Sequence, residues 1–227
     1  MNVDEQYLSR TEPGSSAPPR LAASRARISG MLLGMASLWV LMAALGAGTM
    51  MKYELTPGRA GTPPVDWPAA SGLQRDATRA TLVMFAHPRC ACTRASVGEL
   101  ARIMAQGQGR VAAQVIFFKP KAAADDWAAT DVWRSAANIP NVRVASDEGG
   151  VEAQRFQADT SGFAILYDAS GRMLFRGGIT SARGHAGDND GRSAIAALLN
   201  QAKPVREQTP VFGCSLLTPS NPGPQNP

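Results

Sequence analysis

The sequence predicts one α/β domain, a mixed sheet flanked by helices, preceded by a single N-terminal transmembrane helix. Three observations predict it. Residues 28–51 contain no charged side chain. Two later runs, 80–86 (ATLVMFA) and 111–118 (VAAQVIFF), are continuously apolar, as suits strands buried on both faces. Segments of helical period alternate with strands before a closing hairpin and helix, the pattern of a sheet covered on both sides.

Residues 1–27 carry Asp4, Glu5 and Glu12 among Ser and Pro, then Arg20, Arg25 and Arg27. With so little apolar surface they read as a flexible tail. The uncharged run after them makes a helix of about 36 Å at ~1.5 Å per residue, enough to cross a hydrocarbon core of about 30 Å with some tilt. A buried core helix would show a polar stripe. A cleaved signal peptide has an apolar core of only about 7–15 residues behind a short basic leader; residues 44–47 offer a weak small-residue site for one. Arg10, Arg20, Arg25 and Arg27 precede the span, whereas Lys52 and Arg59 follow it. That excess places the N-terminus in the cytoplasm and the rest outside. In a bacterium this is a single-pass inner-membrane protein with a periplasmic domain.

Pro57, Gly58, Gly61, Pro63, Pro64 and Pro68 mark residues 52–77 as a stiff, extended linker. Residues 78–203 are of ordinary size for one domain. Residues 204–227 form an irregular tail able to fold back on it. Within the domain, 80–86 is the first strand. Residues 93–106 read as a helix, with Val97, Leu100 and Met104 on one face, Thr93 as N-cap and Gly107 beyond its end. Strand 111–118 follows, then a helix over 124–138 with Trp127 and Trp133 as packing residues. A short strand at 142–145 precedes a short helix at 152–157, after the Gly149-Gly150 break. Strands 163–167 and 173–175 flank Asp168-Ala-Ser-Gly171, a hairpin signature. The last helix covers 192–201. Asp188, Asn189 and Asp190 read as a turn and helix cap rather than a calcium loop.

Composition narrows the function. Three Cys and two His are too few for a multi-disulfide scaffold or an all-cysteine zinc site. The net charge of +5 comes without a basic block and with 6% aromatic residues, which argues against nucleic acid. The distinctive stretch is His87-Pro-Arg-Cys90-Ala-Cys92-Thr93, between the first strand and the first helix of the domain. A Cys at a helix N-terminus faces unpaired N–H groups and the positive end of the dipole, which favour thiolate over thiol. Thiolate is the species that attacks disulfides. Arg89 and Arg94 are expected to act in the same direction.

Strand, Cys motif and helix in that order resemble the thioredoxin-like superfamily, and the resemblance extends over most of 81–201. Val144-Ala-Ser-Asp147 through Phe156 and Phe163-Ala-Ile-Leu-Tyr-Asp-Ala-Ser-Gly171 resemble the second half of membrane-tethered, extracytoplasmic members. With Gly177-Gly-Ile-Thr180, Arg183-Gly-His185 and Gly213-Cys214, the chain looks more narrowly like the RedB-type branch. The resemblance implies a thiol–disulfide oxidoreductase in which Cys90 attacks a partner protein's disulfide and Cys92 or Cys214 resolves the mixed disulfide, with no cofactor required. Two departures stand out. The spacing is C-x-C, with Thr93 in the resolving cysteine's place. Nor is there a proline between Pro140 and Pro204 for the family's cis-proline; Thr160, Ser161 and Gly162 take that place.

Topology directs the loop 181–191, with His185, toward the cysteines. From Lys203 to Cys214 the chain reaches about 36 Å at ~3.3 Å per residue, far enough to return Cys214 there. Two alternatives stay open. One is a copper-binding protein or metallochaperone of the same fold, with Cys90, Cys92, His87 and His185 as ligands for soft Cu(I). The other is an anchored binding domain with inert thiols. Peroxidase chemistry is a weaker variant, because the P-x-x-x-T-x-x-C motif is missing.

Overall fold

The computed structural model describes residues 19–216; the expected tail over 1–18 and the last stretch, 217–227, lie outside the described residues. The chain divides into two units, Met1–Met50 and Met51–Pro227. In the first, helix α1 (Pro19–Leu55) begins ahead of the uncharged run, inside what the composition reads as a flexible tail. Its segment Ser29–Leu55 has a mean hydropathy of 1.8 and none of it is buried. Trp39 is 72% exposed, and the Leu and Met side chains around it are similarly bare. One N-terminal helix is thus long and apolar enough to cross a membrane, which fits an anchor or a signal sequence.

The second unit is built on strands β1 (Ala80–Ala86), β2 (Val111–Lys119), β3 (Val142–Glu148), β4 (Phe163–Tyr167) and β5 (Met173–Gly178), with helices α2 (Ala91–Gly107), α3 (Asp131–Ala137), α4 (Val151–Arg155) and α5 (Asp190–Leu199). The sheet order is β3-β2-β1-β4-β5. β1, β2 and β3 run parallel, and β4 is antiparallel to both β1 and β5. The apolar run of β1 is explained by its neighbours. Leu82, Met84 and Ala86 enter a core with Val97, Leu100 and Ile103 of α2 and Ile195 of α5. Val83 and Phe85 enter a second core on the other face with Phe156, Ile165 and Tyr167.

That second face corrects the reading of 52–77 as a linker. α4 is only five residues long and leaves the face largely bare. The Pro-rich segment and the C-terminal segment cover it instead. Trp67 packs edge-on against Phe156 and Tyr167, with ring centroids 5.3 and 5.2 Å apart. The Tyr167 hydroxyl donates to the Pro64 carbonyl at 3.0 Å, and Leu73, Val211 and Leu216 complete the core.

Helix boundaries moved for local reasons. α2 starts at Ala91 because Cys90, with φ −90° and ψ 124°, is the cap; Thr93 is inside the helix. The helix expected over 124–138 shrinks to α3, since Thr130 accepts from the Trp133 N–H and starts it there. α5 starts at Asp190, capped by the Asn189 side chain accepting from the Arg192 N–H at 2.8 Å.

Candidate thiol site at the start of helix α2

β1 delivers residues 87–90 to the edge of the domain, where they are pinned to the turn before β4. The His87 N–H donates to the Ser161 hydroxyl at 2.9 Å. The Thr93 hydroxyl donates to the His87 carbonyl and meets the Ser161 hydroxyl, both at 2.9 Å. The Cys90 N–H donates to His87 O at 3.1 Å, closing the turn. Cys90 is therefore fixed from both sides, and it is 4% exposed.

The C-terminal segment reaches this point by backbone pairing. It runs beside β5, where Arg176 N donates to Glu207 O, Thr209 N to Arg176 O and Gly178 N to Pro210 O, at 3.1–3.3 Å. It then crosses to the turn before β4. Ser161 N donates to Cys214 O at 2.8 Å, and Leu216 N to Asp159 O at 2.9 Å. Gly213 is required there, because a Cβ on it would collide with the Ser161 carbonyl oxygen. Val211 and Leu216 are essentially fully buried and hold the segment as two pegs. The result brings the sulfurs of Cys90 and Cys214, 124 residues apart in sequence, to within 2.7 Å. All three cysteines are free thiols in this structure: Cys90 buried, Cys92 half-buried and Cys214 exposed.

The three thiols share one field. Burial pushes the Cys90 thiol up. Hydrogen bonds to its sulfur from the Cys214 thiol and from the N–H groups of Cys214, Cys92 and Thr93 outweigh that and hold it below the ordinary thiol value. The Cys92 and Thr93 donors belong to the helix start, and the two Cys214 donors to the C-terminal segment. Burial, the Cys90 charge and the bond Cys92 donates to Cys90 push Cys92 up. Cys214 is pushed up to about 12 by burial, its bond to Cys90 and the charges of Cys90 and Cys92. Of the three, Cys90 is the sulfur whose thiolate is favoured, and its two neighbours hold their protons more tightly than an ordinary thiol.

The cation in this field is Arg183, whose charge favours the thiolates of Cys92 and Cys214. Its guanidinium donates to Gly213 O at 2.5 Å and lies 4.8 Å over the Tyr53 ring. Its Nε is buried and has no hydrogen-bond partner among the described residues. The arginines that the sequence pointed to are engaged elsewhere. Arg89 lies over Trp127 at 4.7 Å, and Arg94 pairs with Asp131 at 2.5 Å.

Glu99 holds the loop that carries Arg183. This fully buried carboxylate accepts from the Gly187 N–H at 2.7 Å and the Asn189 amide at 3.3 Å. It pairs with Arg192 at 3.0 Å and with Arg102. Sequence reasoning missed both Arg183 and Glu99 as site residues. The signal for Glu99 was a carboxylate next to Leu100 on the apolar face of α2.

The two histidines do not join the sulfurs as side chains. His87 stacks on Phe118 at 6.0 Å and meets Trp127 edge-on at 5.6 Å. His185 is exposed, with its Nδ1 3.0 Å from the Arg183 carbonyl oxygen. Among the described residues, no group of three or more His, Cys, Asp or Glu converges as metal ligands.

No protein-family model matches the chain, and no curated protein is similar enough to match it. Solved structures do resemble it. A hypothetical protein from Sinorhizobium meliloti superposes with a TM-score of 0.57 at 20% identity, over 71% of this chain and 98% of that one. An uncharacterized conserved protein from Geobacillus kaustophilus gives 0.52 at 20% identity, over 74% and 94%. A secreted disulfide oxidoreductase from Mycobacterium tuberculosis gives 0.41 at 20% identity, over 53% and 81%. For the first two, at 20% identity, the likeness is one of fold. A mixed five-stranded sheet between helices, with the cysteine motif between its central strand and α2, is the thioredoxin-like fold.

Proposed function

We propose that this protein is a membrane-anchored, extracytoplasmic thiol–disulfide oxidoreductase whose exchanging pair is Cys90 and Cys214. The 2.7 Å approach of those two sulfurs carries the reading. Two thiols so close lose two electrons and two protons to become a disulfide, and a partner protein's dithiol or disulfide is the other half of the exchange. The helix start supplies the stabilised thiolate at Cys90. No cofactor is needed for this chemistry. Cys92 stands beside the pair as a third thiol able to take over a disulfide. Anchoring rests on the apolar helix Ser29–Leu55, and the extracytoplasmic side on the arginines before it. The narrower RedB-type kinship belongs to the same proposal, supported by the 87–93 motif, Gly177-Gly-Ile-Thr180 and Gly213-Cys214.

The test is thiol trapping on the purified full chain in detergent. Oxidised protein is expected to expose one alkylatable thiol, Cys92, and reduced protein three. Peptide mapping of the oxidised form should find Cys90 joined to Cys214, and Cys90→Ser should abolish exchange with a model dithiol. A chain that never cycles its thiols but retains one copper through Cys90 and Cys92 would instead be the copper-binding alternative.

A further inference from the structure

The two sulfurs of the pair differ in who can reach them. Cys90 caps the start of α2 and is 4% exposed. Cys214 is exposed and covers it. Displacement at a disulfide sulfur is in line: the attacking sulfur arrives opposite the bond that breaks. Cys90 is buried beside the turn that His87, Thr93 and Ser161 close, which leaves an attacking thiolate little room to reach it. Cys214 is open to solvent, so the same attack reaches it freely. The C-terminal segment is no loose flap that swings away to expose Cys90. Val211 and Leu216 are buried on either side of Cys214, and backbone bonds to Asp159 and Ser161 fix it.

We propose that partners exchange at Cys214, on the C-terminal segment, and that Cys90 is the buried leaving and resolving sulfur. This inverts the order that the motif resembles and rests on the oxidoreductase reading above. A partner thiolate's electron pair forms a bond to Cys214 Sγ. The Cys90–Cys214 bond breaks and its pair stays on Cys90, where the N–H groups of Cys92 and Thr93 receive the charge. A second thiolate of the partner then attacks the partner's own sulfur in the mixed disulfide and releases Cys214, which takes up a proton. The partner has lost two electrons and two protons. The pair has gained two electrons and one proton, and one proton goes to solvent. Run backward, Cys214 as thiolate opens a partner disulfide and Cys90 resolves it, so Cys214 carries the mixed disulfide in both directions. In the direction that opens the pair, the backbone N–H groups that favour the Cys90 thiolate also make Cys90 the better leaving group.

The experiment uses the full chain carrying Cys92→Ser, which removes the third thiol as a route for scrambling. The oxidised protein is pulsed with reduced glutathione and quenched in acid. Free thiols are then alkylated and the peptides mapped. Glutathione is expected on Cys214 with Cys90 alkylated, in excess over the opposite arrangement by about tenfold or more. Glutathione mainly on Cys90 overturns the assignment while leaving the oxidoreductase reading intact. An intact Cys90–Cys214 disulfide that no thiol opens at either sulfur overturns the assignment and the oxidoreductase reading together. Failure of the oxidised chain to contain a Cys90–Cys214 disulfide removes the underlying reading as well. Wild-type chain mapped in parallel covers misfolding of the variant.

Discussion

The start of α2 and the segment 207–216 each contribute one sulfur, but they are held by opposite means. α2 is a regular helix whose apolar face enters the larger core through Val97, Leu100, Ile103 and Met104. The C-terminal segment has no regular structure. It rests on backbone pairing along β5 and the turn before β4, plus Val211 and Leu216 in the smaller core. A sulfur on the helix is as stable as the domain, whereas a sulfur on the segment is as stable as a few bonds and two side chains.

The same deletion in both regions gives the largest expected effect and tests this contrast. Leu100 and Leu216 are both buried to about the same degree. Leu100→Ala should lower global stability by about 2–5 kcal/mol through lost transfer energy and a cavity, read as a fall in the denaturation midpoint. Leu216→Ala should free the segment: amide exchange at Ser161 and Leu216 should speed up while the midpoint of the reduced chain falls by much less. Equal losses of global stability would show that the segment folds with the sheet.

Gly213→Val comes next. A side chain there meets the Ser161 carbonyl oxygen, and overpacking of that kind costs about 1–3 kcal/mol. If the segment yields before the domain does, Cys90–Cys214 disulfide formation should slow by about tenfold or more, at ~1.4 kcal/mol per decade, with the circular dichroism of the sheet unchanged. Unaltered disulfide formation would mean that Cys214 is not positioned by this close approach.

How far each region was legible in the sequence follows from the same contrast. α2, β1 and the motif between them are written in periodicity and burial over adjacent residues. The cysteine at the helix start could therefore be read directly, although its role as cap was given to Thr93. The segment carries no period. Nothing local distinguishes Gly213 from any other glycine until Ser161 is known to lie against it. The linker reading failed for a similar reason. Pro57 to Pro68 look like a spacer in isolation, and only the bare second face of the sheet, with Phe156 and Tyr167 waiting for Trp67, makes them core. Arg183 and Glu99 were hidden because their value lies in pairing with distant residues: Glu99 with Gly187, 88 residues away, and Arg183 with Gly213, 30 away.

The thiols should also titrate apart. Cys90 is held below the ordinary value, so its contribution to the reduced protein's stability is present above the unfolded thiol value and lost as pH falls through its own lower one. Cys214 is raised to about 12; its contribution is present below the unfolded value and lost as pH rises toward that figure. The reduced chain should therefore lose stability at both ends of that window, and Cys214→Ala, by removing the side-chain hydrogen bond to Cys90, should move the lower limb upward. Denaturation midpoints measured across pH, with and without that substitution, check it. A lower limb that stays in place would mean that Cys214 does not help to stabilise the Cys90 thiolate.

The smallest effect separates the two sets of arginines. Arg94 neighbours the motif in sequence but pairs with Asp131 in a bridge where both side chains are more than half exposed. Such a pair contributes about 0–1 kcal/mol. Arg94→Ala should therefore change stability by no more than that and alter the exchange rate less than about twofold. Arg183 is remote from Cys92 in sequence, yet its charge acts on Cys92 and Cys214 and its guanidinium holds the Gly213 carbonyl. Arg183→Met keeps much of the packing and removes both contributions, so the thiols of Cys92 and Cys214 should ionise at higher pH and exchange should slow by more than Arg94→Ala slows it. Alkylation rates of each cysteine against pH, compared between the two variants, decide the matter. If Arg94→Ala proves the more damaging, neighbours in sequence govern this site, and the partners assembled by the fold do not.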